Sequence, residues 1–399
     1  MTDYNEIGPK QEIAASGLVY DRDSLFAILL QVEDRRHAKG KIYPLANLLA
    51  LILLAKLAGE DTPSGIAEWG ANRVDELVEM KVLAKAKAPC HMTIRRVFQS
   101  MVSAEDLESL ISQYHQRQLK QEEDGICYSM DGKTLRGTIP YGETRGTHLL
   151  SLYAPQQNLV LVEAAVDRKE NEIVVAPHLL EQVDLKGTLV IGDAMHTQRE
   201  TSSHIRKAEA HYLWTVKGNQ ARTEWAIEKL FVHEACQRQA GAPLSKEIRI
   251  ASQVKKGHGR REKRTLWASS QLNDYLDWPD LQQVFRLERL IWHEKQHGHS
   301  REVIYGMTSL PHPQATPRKL LRLVRGYWAI ENGLHYRRDV TLHEDRTRLT
   351  VGQAGHVLAI LNNVVIGLCL HKGQKNLAKS RRFFNAKPLL ALMLIIASH

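Results

Sequence analysis

Cysteine is scarce in this 399-residue chain, which contains four. The cysteines are far apart, and none of them forms a CxxC pair; they are Cys90, Cys127, Cys236 and Cys369. This spacing argues against a zinc ribbon and against a disulfide framework, and it fits a reducing compartment. We therefore expect a cytoplasmic protein.

Long apolar runs and a targeting leader are also missing. The run from Leu45 to Leu57 is interrupted by Asn47 and Lys56, and it is shorter than the roughly 20 residues that a bilayer requires. We predict a buried helix there and another over residues 388–397. The opening MTDYNEIGPK is polar and mixed in charge, so no secretion signal is expected. The sequence has no internal repeat and no low-complexity segment.

Apolar material and positive charge are ample. The chain is 43% hydrophobic, and it is too long for one ordinary core, so we expect two or three domains. A net charge of +9 and a pI of about 9.2 favour a polyanionic partner. A basic balance alone, however, indicates only non-specific attraction.

From about residue 20 to 120 the sequence has helical periodicity, and we predict an all-helical domain over 1–120. Pro44 and Gly59 are placed to begin and end one helix, and Thr62 and Ser103 to cap two others. In PCHMTIRRVFQSM, a short helix capped by Thr93 would present Arg95 and Arg96 to solvent. It is either part of a helix-turn-helix that binds DNA or a packing helix with a solvated basic face.

Strand-like runs follow from about residue 124 and alternate with helical stretches, which predicts a mixed α/β sheet. The apolar run from Gly187 to Ile191 is typical of a strand that is covered on both faces. Four further strand candidates over 218–310 predict a β-rich insertion, with KKGHGRRE as a turn or loop between two of them. Helix returns over 317–338. We predict a core of 121–217 and 311–372, and a C-terminal tail of 373–399.

Three acidic residues stand out by their local setting. Asp131 ends a strand before Gly132, Asp193 follows the buried apolar run, and Glu331 lies on a helix rich in cations. Each has a simpler interpretation: Asp131 forms a turn, Asp193 caps a helix, and Glu331 pairs with Arg338 or a neighbouring arginine on the surface. Together they match the carboxylates that hold two metal ions roughly 4 Å apart for phosphodiester chemistry.

Mg²⁺ prefers such oxygen ligands and keeps waters that substrate phosphates can replace. The run around Glu331 carries enough cations to hold DNA; they are Arg318, Lys319, Arg322, Arg325, Arg337 and Arg338. Trp328 and Tyr336 are candidates for stacking on splayed bases, although such aromatic residues are more often part of the core.

Weaker patterns leave alternatives open. His293, His297 and His299 have metal-like spacing, yet a hairpin turn explains them as well. His196 is either a substrate contact or a packed histidine. The run VKKGHGRREKRT follows a phosphate backbone or forms a solvated loop. In another register, an acid further along could replace Glu331; the candidates are Asp339, Glu344 and Asp345.

Six segments in this order resemble the ISAs-type insertion-sequence transposases of bacteria, which include the H-repeat-associated proteins and belong to the DDE superfamily with an RNase H-like core. They are GKIYPLANLLALILLAKLAGEDTPSGIAEW, MDGKTLRG, IGDAMHTQ, HYLWTVKGNQ, HGRREKRTL and YWAIENGLHYRRDVTLHEDRTRL. The resemblance implies that Asp131, Asp193 and Glu331 are the catalytic triad.

The last helix departs from the family pattern of Tyr, Arg, Glu and Lys. Val324 stands in the place of the Tyr, Tyr327 in that of the Arg, and Arg338 in that of the Lys. These departures concern DNA gripping and leave the triad intact.

The resemblance implies a metal-dependent DNA transposase with two Mg²⁺ ions, or Mn²⁺ as an alternative. It would cut element ends and transfer 3′ hydroxyls into target DNA. Double-stranded DNA, terminal inverted repeats included, is the expected partner, bound by a homodimer. The alternatives are a non-catalytic DNA-binding regulator and a nuclease without strand transfer. The candidate DNA contacts are Arg95, Arg96, Lys133, Arg136, His196, Lys217, Arg260, Arg261, Arg325, Tyr327, His335, Arg337 and Arg338.

Overall fold

The computed structural model describes residues 11–37, 41–122, 125–167, 171–239, 243–257, 259–293, 298–371 and 373–398. The strands are β1 (Gln11–Ile13), β2 (Val19–Asp21), β3 (Cys127–Thr134), β4 (His148–Ala154), β5 (Leu159–Val166), β6 (Leu189–Gly192), β7 (His211–Val216), β8 (Ile248–Gly257), β9 (Arg260–Ser269), β10 (Gln283–His293) and β11 (Gly298–Thr308).

The α-helices are α1 (Leu25–Leu29), α2 (Leu45–Ala58), α3 (Pro63–Asn72), α4 (Val74–Glu79), α5 (His91–Arg96), α6 (Ala104–Arg117), α7 (Glu172–Leu180), α8 (Arg199–Lys207), α9 (Ala221–Gln239), α10 (Asn273–Leu276), α11 (Pro317–Tyr327), α12 (Ala354–Leu370), α13 (Leu377–Ala386) and α14 (Pro388–Ile396). Segments of π-helix occupy Val97–Met101, Ile330–His335 and Arg337–Thr341.

The chain divides into two compact units. Unit 1 comprises Met1–Lys120, Gly132–Arg168 and Glu331–His399, and unit 2 comprises Gln121–Asp131 and Lys169–Ile330. Each unit draws on segments that are distant in sequence.

Unit 2 contains a mixed sheet whose strands lie in the order β3-β6-β7-β11-β10-β9-β8. Strand β6 pairs in parallel with both β3 and β7. The strands from β7 to β8 in this order pair antiparallel. Parallel strands need crossover connections, which α7 and α8 provide. This arrangement confirms the predicted mixed α/β fold class with an inserted β region.

The β-rich insertion differs from the prediction in two places. Most of the segment KKGHGRRE, which was predicted as a turn or loop, is strand, because β8 extends to Gly257 and β9 begins at Arg260, with these two residues paired in register. The insertion also begins with the helix α9, which sequence periodicity did not reveal. The apolar residues of α9 do not form one clear stripe, so the helical pattern is weak.

Unit 1 has a mainly helical N-terminal part, as predicted, preceded by the short hairpin of β1 and β2. Every residue of α2 is buried, which confirms the predicted buried helix; Pro44 precedes it and Gly59 ends it at φ +117°. The Thr62 hydroxyl accepts a hydrogen bond from the Gly65 amide and caps α3, again as predicted.

Two other helix predictions were wrong in detail. Helix α5 begins at His91 and Thr93 lies inside it, so Thr93 is not its cap. Helix α14 is only half-buried, because Leu389 and Leu390 are exposed. In the part of the chain that the structure describes, no helix has both the length and the apolar character needed to cross a membrane.

Unit 1 also contains β4 and β5, which form an antiparallel hairpin across the turn at PQQN, where the sequence predicts one. Helix α12 is buried along its whole length, and it packs on β5 and α6. The core of unit 1 therefore unites chain segments from both termini.

Candidate active site

Asp131 and Asp193 follow paired positions of two neighbouring parallel strands. Met130 of β3 is in register with Gly192 of β6, so the two aspartates occupy the next position on each strand. Neighbouring strands lie about 4.8 Å apart. Strand β3 continues to Thr134, so Asp131 does not end the strand or form a turn, as its simpler interpretation had it.

The Tyr327 hydroxyl donates a hydrogen bond to Asp131 Oδ1 over 3.4 Å. Tyr327 is the last residue of α11 and is buried, so this bond connects the end of that helix to β3. The sequence predicts Tyr327 as a DNA contact. In the structure its hydroxyl is bonded to Asp131 instead of being exposed.

Asp193 is held by the backbone that follows it. Its Oδ1 accepts a hydrogen bond from the Met195 amide over 2.8 Å, and the residue caps a short 3-10 turn. The preceding residue, Gly192, is glycine because a Cβ at this position would lie 2.7 Å from the Trp214 ring. The capping interpretation is therefore correct, and it leaves the other carboxylate oxygen available for a further ligand.

Glu331 is exposed and lies in the π-helical segment Ile330–His335. The segment over 317–338 is mainly helical, as predicted, although α11 ends at Tyr327 and π-helix follows. Short π-helical segments occur frequently at functional sites. Within the described residues the Glu331 carboxylate has no hydrogen bond and no ion pair, so the predicted surface pair with Arg338 is not formed.

The three alternative acids are occupied by cations or backbone amides. Lys133 Nζ lies 2.7 Å from Asp339 Oδ1 and 4.0 Å from Asp345 Oδ1. The Arg136 amide donates to Asp345, and Glu344 binds Arg338. Of the four acids of this segment, Glu331 is therefore the one without a hydrogen bond or ion pair among the described residues.

Arg338 was predicted to contact DNA, but it is 0% exposed. Its Nη1 lies 2.5 Å from Glu163 Oε1 and its Nε lies 2.9 Å from Glu344 Oε1. Although burial disfavours the charged Arg338, the two carboxylates raise its pKa above the ordinary value. Arg338 is therefore a structural cation that joins β5 to the segment after Glu331.

Further polar groups complete this buried cluster. Asn362 Nδ2 donates to Glu344, and Asn363 Nδ2 donates to Glu163. Burial raises the pKa of Glu163, but the charge of Arg338 and the hydrogen bonds outweigh it, so the pKa lies below the ordinary value. Burial and the nearby Glu163 raise the pKa of Glu108 well above its ordinary value. Glu108 is therefore the carboxyl of this cluster whose charged form is disfavoured by burial and by the charge of Glu163.

Three other predicted DNA contacts are also poorly placed for that role. His196 is 1% exposed and its Nε2 lies 3.1 Å from Glu172 Oε2, as expected of a packed histidine. Lys133 is buried against Asp339. Burial, together with Arg338 and Lys133, lowers the pKa of His335 to about 3, so His335 adds no positive charge at neutral pH.

The remaining predicted cations are accessible. Arg337 is half-buried, and its Nη1 donates to Asn158 Oδ1. The others are exposed: Arg95, Arg96, Arg136, Lys217, Arg260, Arg261 and Arg325. Arg261 and Arg260 extend from β9, with the Arg261 guanidinium 5.8 Å from the centre of the Trp292 ring. Trp328 lies under Arg289, at 5.7 Å from its guanidinium.

Among the described residues, no group of three or more His, Cys, Asp or Glu side chains is placed to hold a metal ion. The histidine pattern in HEKQHGH cannot be assessed, because His297 and the side chain of His293 lie outside them. The oxygens of Asp131 and Asp193 on adjacent strands have the chemistry that Mg²⁺ prefers.

Comparison with known proteins assigns the chain to a family. The family described as transposase DDE domain matches residues 123–366, and the DDE_Tnp_1-associated family matches residues 26–115. The chain belongs to the transposase DDE domain family. This confirms the predicted resemblance to insertion-sequence transposases.

Two relatives from Escherichia coli strain K12 match most of the chain. YbfL is 28% identical over 348 residues, which covers 84% of this chain and 88% of YbfL. The H repeat-associated protein YhhI, named as a transposase, is 28% identical over 344 residues, with the same two coverages. A structure of the piggyBac transposase synaptic complex with hairpin DNA matches with a TM-score of 0.45 and 8% identity, covering 92% of this chain and 78% of that chain.

Proposed function

We propose that this transposase cuts the ends of its insertion sequence and joins the freed 3′ hydroxyls to target DNA. Asp131, Asp193 and Glu331 would hold two Mg²⁺ ions, with Mn²⁺ as an alternative. The observation that carries the proposal is the hydrogen bond from Tyr327 to Asp131. It ties the helix that leads to Glu331, four residues further on, to the strand beside that of Asp193.

The three carboxylates differ in what holds them. Tyr327 orients Asp131, the Met195 amide orients Asp193, and Glu331 is exposed in its π-helical segment. Bound divalent ions would activate the attacking oxygen and stabilise the leaving oxygen of a phosphodiester. The role of the chain is then to present oxygen ligands in fixed orientations, which limits the reorganisation needed when DNA binds.

DNA binding is assigned to the exposed cations. We propose that Arg95 and Arg96 on α5 contact the terminal inverted repeats, while Arg260 and Arg261 on β9 follow a phosphate backbone. The other proposed contacts are Arg136, Lys217, Arg325 and Arg337. Phosphate contacts of this kind position the protein on double-stranded DNA without reading its sequence. A homodimer that pairs two element ends is part of the same proposal.

The test combines purified protein, a duplex carrying an element end, and Mg²⁺. Asp193→Asn should abolish cleavage and strand transfer while DNA binding persists. The matched control is Asp184→Asn, an exposed aspartate before β6, which should retain wild-type activity. Equal cleavage by wild type and Asp193→Asn would remove Asp193 from the mechanism. Cleavage without joined products would identify a nuclease that lacks strand transfer.

A further inference from the structure

Unit 1 contains an open cleft of about 630 Å³ beside the segment that follows Glu331. The C-terminal end of α2 forms one wall with Ala58 and Gly59. The first part of α13, from Leu377, forms another, and Tyr336 with Arg337 forms a third. The cleft lies wholly within unit 1, and it contains none of the three proposed metal ligands.

The charge of the cleft has one sign. Four cations line it, namely Arg337, Lys375, Arg381 and Arg382, and none of its lining residues is an aspartate or glutamate. Lys375 and Arg382 are exposed. A concave surface lined by one sign of charge concentrates ligands of the opposite sign.

Arg381 is held rigidly at the base of this surface. Its Nη2 lies 2.7 Å from Asp61 Oδ1, its Nε donates to the Lys56 carbonyl over 2.8 Å, and its Nη1 donates to the Thr341 carbonyl over 2.6 Å. These bonds connect α2, α13 and the π-helical segment that ends at Thr341. The cleft is therefore a built feature of the unit and does not depend on flexible surface side chains alone.

The neutral polar groups of the cleft are also mainly donors. Asn376 Oδ1 accepts a hydrogen bond from the Lys379 amide, and Asn385 Oδ1 accepts from Arg73 Nη2 over 3.0 Å. Each side chain keeps its NH₂ group, which can only donate. The first turn of α13 adds backbone amides that lack helical partners. A ligand that only accepts hydrogen bonds and carries negative charge suits this set.

We propose that the cleft binds the phosphodiester backbone of DNA. The inference rests on the proposed function in taking DNA as the polyanion that this protein handles. It adds a contact site of which seven of the fifteen lining residues lie beyond the matched family region, which ends at residue 366. Lys375, Arg381, Arg382 and Asn385 all follow that point, and sequence reasoning treated them as part of a tail. The only sequence signal there is the pair of arginines in KSRRFF.

The experiment compares two double variants that lose the same charge. Lys375→Gln with Arg382→Gln removes two cations that line the cleft. Lys379→Gln with Lys387→Gln removes two exposed cations, one on α13 and one directly after it, that do not line it. Both are made in an Asp193→Asn background, and the affinity for an element-end duplex is measured across a salt series without divalent metal.

The cleft variant should bind roughly tenfold more weakly, and the slope of log affinity against log salt should fall by about two, one for each lost phosphate contact. The control pair should change neither quantity appreciably. Equal losses in the two variants, or no loss in the cleft variant, would overturn the proposal. Arg382→Lys should keep most of the binding, because a lysine still contacts phosphate, and this variant separates lost contacts from misfolding.

Failure of the cleavage chemistry would not affect this measurement, because no metal is present and Asp193 is already replaced. If the cleft variant lost binding while the wild-type protein showed no cleavage, the cleft would stand and the proposed function would not. If the cleft variant retained its DNA binding while the wild type cleaved normally, the proposed function would stand and the cleft proposal would not.

Discussion

Replacing Arg338 by methionine should destabilise unit 1 strongly at neutral pH. Arg338 is fully buried and is the cation shared by Glu163 and Glu344, which are 0% and 2% exposed at their side chains. Removing one partner of a buried ion pair leaves an uncompensated charge, which typically costs about 3–5 kcal/mol. Methionine fills much of the volume, so we attribute this loss mainly to charge.

The pH dependence has a definite sign. In the wild type the pKa of Glu163 is below its ordinary value, so its stabilising contribution is present above that value and is lost as the pH falls through the lowered pKa. Without Arg338, burial should raise the pKa of Glu163. The cost of burying its unpaired charge is then largest near neutral pH and shrinks on acidification, so the difference in the free energy of unfolding between variant and wild type should narrow toward about pH 5.

The assay is urea unfolding of the full chain at about pH 7.5 and about pH 5, followed by far-UV circular dichroism. Arg346→Met is the matched control, because Arg346 is exposed on the same segment and should change the free energy of unfolding by no more than about 0.5 kcal/mol. Adding Glu163→Gln and Glu344→Gln to Arg338→Met should restore part of the loss. Equal unfolding midpoints for Arg338→Met and Arg346→Met would refute the reasoning. So would a difference in the free energy of unfolding between Arg338→Met and wild type that is the same at both pH values.

Three further changes have specific expected outcomes. Tyr327→Phe removes the hydrogen bond to Asp131, which is worth about 1 kcal/mol, so single-turnover cleavage should slow roughly fivefold at unchanged DNA affinity; an unchanged rate would show that the bond does not position Asp131. Gly192→Ala places a Cβ 2.7 Å from the Trp214 ring and should lower the free energy of unfolding by about 1–3 kcal/mol, measured by urea unfolding; a neutral effect would contradict tight packing there. Because the pKa of His335 is lowered to about 3, this residue should carry no charge between about pH 6 and about pH 8. His335→Gln should therefore show the same salt dependence of DNA binding as the wild type at both pH values; a smaller slope for the variant at the lower pH would show that His335 is charged there.

Local chemistry explains what the sequence could predict. The apolar run before Asp193 indicated a strand covered on both faces, and β6 is buried throughout. Pro44, Gly59 and Thr62 act on their own neighbours, so their helix boundaries could be read from a few residues. Such features depend on contacts between residues close in the sequence, which periodicity and capping rules describe.

The burial of Arg338 could not be predicted in this way. A run of cations on a helix indicates a solvent-exposed face when the sequence does not show what packs against it. In the structure Arg338 is bonded to Glu163, which lies 175 residues earlier on β5, and Asn362 and Asn363 of α12 complete the cluster. A pairing over that separation depends on the tertiary fold. The cleft residues Lys375 and Arg382 were missed for the same reason.

The fold also selects among residues that are chemically equivalent in the sequence. Four acids lie between residues 331 and 345, and each could in principle be the third metal ligand. Lys133 neutralises Asp339 and approaches Asp345, and Arg338 binds Glu344. Satisfying these three acids internally stabilises the segment and prevents them from competing for a cation. Glu331 is the member left exposed, with no hydrogen bond or ion pair among the described residues, and for this reason we propose it, and not the other three acids, as the third ligand.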